Sequence, residues 1–172
     1  MQIPNQSMKK ILLLLLIAVS FSGCEKDDIC TEETTPRLIV EFYDISNPAN
    51  PKNVVNLKVK GEGSFNDLDL GTFNAKNKIE LPLNPGATST KYALTLNSTA
   101  ATANKDFITF NYATQTVYVS RACGFKTVYM LNSPGGVTLT DADTPDTLWI
   151  QNLTVETNSI TTENETHIKI YF

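Results

Sequence analysis

The chain predicts an all-β domain, an antiparallel β-sandwich of about seven to nine short strands, immunoglobulin-like in its finer form. Three observations carry this expectation. Apolar and polar residues alternate with a period of two in several short segments, which is the signature of half-buried strands. After residue 23 no stretch sustains the period of a helix. Clusters of Pro, Gly and Asn recur between the segments and supply backbone angles that strands do not adopt.

The segments follow in order. Leu38, Val40 and Phe42 alternate with Ile39, Glu41 and Tyr43. Val55, Leu57 and Val59 alternate with Asn56, Lys58 and Lys60. Ile79, Leu81 and Leu83 alternate with Lys78, Glu80 and Pro82, and Pro82 cannot donate to a ladder, so this strand is expected to be short or at an edge. Tyr92, Leu94 and Leu96 alternate with Lys91, Ala93, Thr95 and Asn97. Residues 107–112 and 116–120 read as a hairpin about Ala113-Thr114, followed by strands over 124–131, 147–157 and 167–172. Breaks are expected at 47–51, 84–86 and 133–136, the last followed by an acidic run from Asp141 to Asp146. Residues 61–77 show little pattern, but Phe65, Leu68, Leu70 and Phe73 suggest a loop that packs down or an extra strand.

The amino-terminal segment addresses the protein. Lys9 and Lys10 precede an apolar run from Ile11 to Val19, and Phe21-Ser22-Gly23 lead into Cys24. The run reaches about a dozen residues, short of the roughly 20 a helix needs to span a bilayer. A basic start, a short apolar core and small residues make a secretory signal. The cysteine directly after Gly23 resembles a bacterial lipoprotein signal, which implies cleavage before Cys24 and lipidation on it. A plain secretory signal and an uncleaved anchor remain as alternatives. Met8 opens a more typical signal than Met1, so either is a candidate initiator. The expected organisation is a signal peptide at 1–23, a lipidated tether at 24–35 and a β-sandwich at 36–172. Lys26, Asp27 and Asp28 follow Cys24 and resemble the surface-export signal of Bacteroidota lipoproteins. That resemblance implies an outer-membrane protein on the cell surface, with the periplasmic face of the outer membrane as the alternative.

Removing residues 1–23 from the 172 leaves 149, one typical domain with a real core. The removed segment holds two lysines and no acid, so the formal charge of −4 becomes −6. An acidic domain repels phosphate backbones, which excludes nucleic acid as an expected partner. With Cys24 assigned to lipid, Cys30 and Cys123 remain, and in an exported chain two leftover cysteines pair. A metal pair is the alternative, though the chain has one His and no Cys-x-x-Cys. A redox-active pair lacks its usual short spacing. Five residues, Glu25 to Ile29, separate Cys24 from Cys30 and span less than about 18 Å, so a Cys30 fixed to the domain holds the domain near the membrane.

The runs Cys24-Glu25-Lys26-Asp27-Asp28-Ile29-Cys30, Thr35-Pro36-Arg37-Leu38, Ile79-Glu80-Leu81-Pro82-Leu83 and Val119-Ser120-Arg121-Ala122-Cys123-Gly124-Phe125 together resemble a domain-of-unknown-function family of Bacteroidota lipoproteins. The resemblance implies a lipoprotein with Cys30 joined to Cys123 and brings no catalytic residue.

No constellation carries a reaction. Asp141, Asp143 and Asp146 have the spacing of a calcium loop but lack its Gly and closing Glu. Glu62, Asp67 and Asp69 have the same gap. His167 is expected on the polar side of its strand, with no second His beside it. Trp149 and the tyrosines Tyr112, Tyr118, Tyr129 and Tyr171 are read as strand-packing residues, with sugar stacking as the competing role for Trp149. Glu41, Asp44 and Glu80 could supply carboxylates for glycoside hydrolysis, but sequence does not fix their separation. Asp146-Thr147-Leu148 resembles an O-glycosylation motif of Bacteroidota, with Thr147 the acceptor. The expected function is a non-enzymatic binding or accessory domain for another outer-membrane component, with no cofactor and a ligand left open. A carbohydrate- or peptide-binding surface protein is the alternative, and a hydrolase stands behind both.

Overall fold

The computed structural model describes residues 10, 11, 13, 29–32, 34–142 and 146–172. Cys24, Lys26, Asp27, Asp28 and Asp143 lie outside them. Twelve strands are formed among the described residues: β1 Leu38–Asp44, β2 Asn47–Pro51, β3 Leu57–Glu62, β4 Asp69–Phe73, β5 Lys78–Leu81, β6 Ser89–Leu96, β7 Asn104–Ser120, β8 Gly124–Leu131, β9 Val137–Asp141, β10 Asn152–Val155, β11 Ser159–Ile160 and β12 Ile168–Tyr171. They build a β-sandwich of two largely antiparallel sheets. One sheet runs β10-β12-β1-β2 with β5 beside β1; the other runs β11-β8-β7-β6-β3-β4 with β9 beside β7.

Contacts divide the chain into two compact units. The smaller comprises Met1–Glu32 and Val119–Gly124. It holds the Cys30–Cys123 disulfide, with Cα atoms 4.8 Å apart and a sequence separation of 93. The larger comprises Glu33–Tyr118 and Phe125–Phe172, and it carries the core. There the alternation of β1, β3, β6 and β12 places Leu38, Val40, Phe42, Leu57, Val59, Tyr92, Leu94, Ile168 and Ile170 in one apolar cluster. Burial of each large side chain contributes on the order of 1.5–3 kcal/mol.

The strand pattern departs from expectation in several places. β12 lies parallel to β1, with Val40 opposite Ile168 and Phe42 opposite Ile170. This pairing brings chain ends together and leaves no local trace. Asn47–Pro51, expected as a break, is a fully exposed strand that meets β1 only at Tyr43 and Asp44, across a register shift. The expected turn at Ala113-Thr114 is absent: β7 runs unbroken for 17 residues, and the turn falls at Arg121–Cys123 instead. Burial stops at Tyr112, so the apolar rhythm ends while the ladder continues. Val55 is 52% exposed because Asn56 takes a left-handed conformation that resets the register before β3; Val54 is the buried residue. Of the strand expected over 147–157, only Asn152–Val155 forms, since the backbone from Thr147 to Ile150 is held by side chains. Residues 61–77 combine both readings. A short 3-10 turn at Gly63–Phe65 leads into β4, and Phe65, Leu68, Leu70 and Phe73 pack on the core. The turn folds so closely onto β3 that any side chain on Gly61 would collide with the Phe65 carbonyl.

Candidate functional site

Three buried polar clusters organise the larger unit. In the first, β5 ends at Leu81, so the carbonyls of Pro82, Leu83 and Asn84 leave the ladder. Three tyrosine hydroxyls take them in turn: Tyr92 donates to Pro82, Tyr129 to Leu83 at 3.0 Å and Tyr112 to Asn84 at 2.8 Å. Thr90 Oγ1 accepts from the Asn84 amide at 3.0 Å and lies 2.6 Å from the Tyr112 hydroxyl. Burial raises the pKa of all three phenols, pushing Tyr129 up to about 12. These groups therefore stay protonated and donating, which suits a structural clamp.

The second cluster centres on Asp106 in β7. Its Oδ2 accepts the Ile150 amide at 2.8 Å, and the side chain is wholly buried. Burial pushes its pKa up to about 6, against the lowering effect of the Ile150 amide; Asp141 and Asp146 add further upward pressure. Beside it, Trp149 Nε1 donates to the Leu94 carbonyl at 3.1 Å, and the indole packs edge-on to Phe172 at 5.5 Å. Trp149 is buried, as the packing reading expects, and offers no stacking face to a sugar.

The third cluster corrects the expectation for His167. It does not face a polar side but is wholly buried just before β12. Its Nδ1 accepts the Ile39 amide at 2.8 Å while its own amide donates to the Ile39 carbonyl. The imidazole replaces a ladder partner at the start of the parallel pair. Burial lowers its pKa. Nε2 has no well-aligned acceptor, although the Thr162 backbone lies close enough to favour its proton.

The acidic candidates are dispersed into separate tasks. Glu41 accepts from Tyr43, Asp44 from the Ser46 amide, and Glu80 pairs with Arg37 at 2.6 Å. Arg37 also makes a two-pronged contact with Glu163, holding that carboxyl below its ordinary range. Asp69 accepts the Gly71 amide and Glu62 lines a shallow lysine-rich surface beside Lys58, Lys60 and Lys105. Asp141 accepts the amides of Ala142 and Thr147 and so closes the acidic loop through its own backbone. Among the described residues no group of three His, Cys, Asp or Glu could hold a metal. Thr147, the candidate glycosylation acceptor, is exposed with a left-handed φ of 78°, pinned by Asp141 and Asn104.

An open groove of about 380 Å³ lies across β7, β8 and the β11 segment, bordered by Ala113, Thr114, Gln115, Met130, Ser159 and Thr161. Its size falls in the range of small-ligand sites. Its walls offer hydroxyls, an amide and the half-exposed Met130, and Tyr129 is their one titratable group. Sequence reading missed it because it depends on β7 continuing through Ala113-Thr114.

The fold and these sites define a disulfide-linked all-β domain whose buried polar groups clamp backbone. The chain belongs to a family of unknown function (DUF6452), whose model matches residues 56–172. The match covers about two-thirds of the 172 residues, includes Cys123 and begins after β1 and β2. No curated protein and no solved structure matches the chain.

Proposed function

We propose that the protein is a Bacteroidota outer-membrane lipoprotein, displayed on the cell surface, whose β-sandwich is a non-enzymatic binding or accessory domain for another envelope component. The Cys30–Cys123 disulfide carries this reading, because such bonds belong to oxidising compartments outside the cytoplasm. It stands six residues after Cys24, the residue that the signal-like segment marks for acylation. One short acyl chain binds a membrane only marginally, at about 0.8 kcal/mol per buried CH₂, whereas several chains on one cysteine anchor it firmly.

Two measurements test the proposal. Cys24→Ala should lose incorporation of a labelled fatty acid and leave the membrane fraction; a mutant that still labels overturns lipidation. Lys26, Asp27 and Asp28 changed together to Ala should keep the label but resist protease shaving of intact cells. Equal shaving of parent and mutant removes surface export and leaves the periplasmic face.

The groove beside Met130 favours a second reading, capture of an extended peptide or a glycan. Calorimetry with peptide and glycan panels should find a ligand whose binding Met130→Arg abolishes. Silence across the panels counts against it.

A further inference from the structure

The hairpin of β7 and β8 carries two cross-strand aromatic pairs. Tyr112 and Tyr129 meet edge-to-face at 5.2 Å and are buried; Tyr118 and Phe125 meet edge-to-face at 5.4 Å near the turn and are 57% and 69% exposed. Strand alternation puts Tyr112, Thr114, Thr116 and Tyr118 on one face of β7, and Phe125, Thr127 and Tyr129 on one face of β8. The core-facing side of the hairpin thus continues past the end of the core and presents an ordered but uncovered aromatic pair, with the half-buried Lys126 next in sequence. Exposed apolar groups in a fixed arrangement mark a contact surface.

We propose that Tyr118 and Phe125 dock into the interfacial layer of a lipid bilayer. This rests on the acylation of Cys24 proposed above. Covalent reach selects the occupant. Six residue steps from Cys24 to Cys30 span at most about 22 Å. The disulfide adds a Cα separation of 4.8 Å, and two further steps to Phe125 add at most about 7 Å. β7 alone, at 17 residues, is roughly 56 Å long, so the lipid can lie near the turn end of the hairpin and not at its far end. Tyr118, a ring with one polar edge, settles at the headgroup level, and Phe125 beside it adds apolar area. The pair would then fix the orientation of the domain on the membrane as well as its distance.

The test places a tryptophan reporter at the pair in the full acylated protein, reconstituted in vesicles of phosphatidylethanolamine and phosphatidylglycerol with brominated acyl chains. Phe125→Trp should show blue-shifted emission that loses intensity as brominated lipid increases. The parent, whose single Trp149 is buried, should show no change. Tyr118→Trp is the second reporter should the first variant misfold. Mass spectrometry of Cys24 in the same preparation separates the two proposals. An acylated protein with neither reporter quenched overturns bilayer docking and leaves the lipoprotein reading intact. Reporters that respond only when an outer-membrane protein extract is added overturn it in favour of a protein partner. An unmodified Cys24 overturns both readings.

Discussion

The two aromatic pairs of the β7–β8 hairpin share a geometry and differ in everything around it. At Tyr112 and Tyr129 both hydroxyls end on backbone carbonyls and both rings lie inside the core. At Tyr118 and Phe125 the same edge-to-face contact stands in solvent. A ring pair contributes roughly 0.5–1.5 kcal/mol beyond its burial, so contact alone does not distinguish them. Burial and hydrogen bonding do: one end of the hairpin is sealed into the core and the other stands open to solvent.

The sharpest way to break this comparison is truncation at each end. Tyr129→Ala empties a buried site and abandons the Leu83 carbonyl, and should cost about 3–5 kcal/mol. Phe125→Ala should stay within about 0.5 kcal/mol in detergent solution. Urea unfolding of both variants measures the gap; equal losses would mean that the exposed pair is also part of the core. Replacing Cys30 and Cys123 by Ser should cost on the order of 2–5 kcal/mol, because the unfolded chain regains a long loop. The same unfolding experiment on reduced parent protein should reproduce the loss.

A smaller change isolates the hydrogen bond from the ring. Tyr112→Phe keeps the edge-to-face packing but leaves the Asn84 carbonyl without its donor, and should cost about 1–3 kcal/mol. Tyr118→Phe, at the exposed pair, should be neutral. A neutral Tyr112→Phe would show that water reaches Asn84 and that the clamp is not sealed.

The same contrast explains what the sequence could reveal. β1, β3, β6 and β12 were legible because one face of each is buried and the other wet, which writes a period of two into the residues. The far half of β7 has both faces wet from Ala113 to Thr116, so nothing in Ala113-Thr114-Gln115-Thr116 separates a strand from a turn. The groove it helps to form was hidden with it. β2 is masked by its prolines, and the parallel pairing of Val40 with Ile168 leaves no mark within either segment. Trp149 could be read as a packing residue from its apolar neighbours. His167 could not be placed, since its partner is an amide 128 residues away. Cys30 and Cys123 were legible for a different reason: pairing two leftover cysteines needs no knowledge of the fold.

The finest test uses pH at the buried end of β7. Burial lifts the folded-state pKa of Asp106 from 3.8 to about 6. Between those values the folded protein holds a proton that the unfolded chain releases. Asp106 therefore contributes stability that is fully present below pH 3.8 and fades as pH rises through about 6. His167 works in the opposite direction, because burial lowers its pKa from 6.5. Its contribution is present above that value and fades as pH falls through the lowered one. In the parent the two partly cancel, so the informative quantity is the difference between parent and Asp106→Asn. Asn cannot ionise, keeps an oxygen for the Ile150 amide and leaves His167 in place. Relative to the variant, the parent should gain roughly 2–3 kcal/mol as pH falls from about 8 to about 4. Urea unfolding of both proteins across that range measures it. A difference that stays flat would show that Asp106 ionises normally, and that the carboxyl beside Ile150 is reached by solvent.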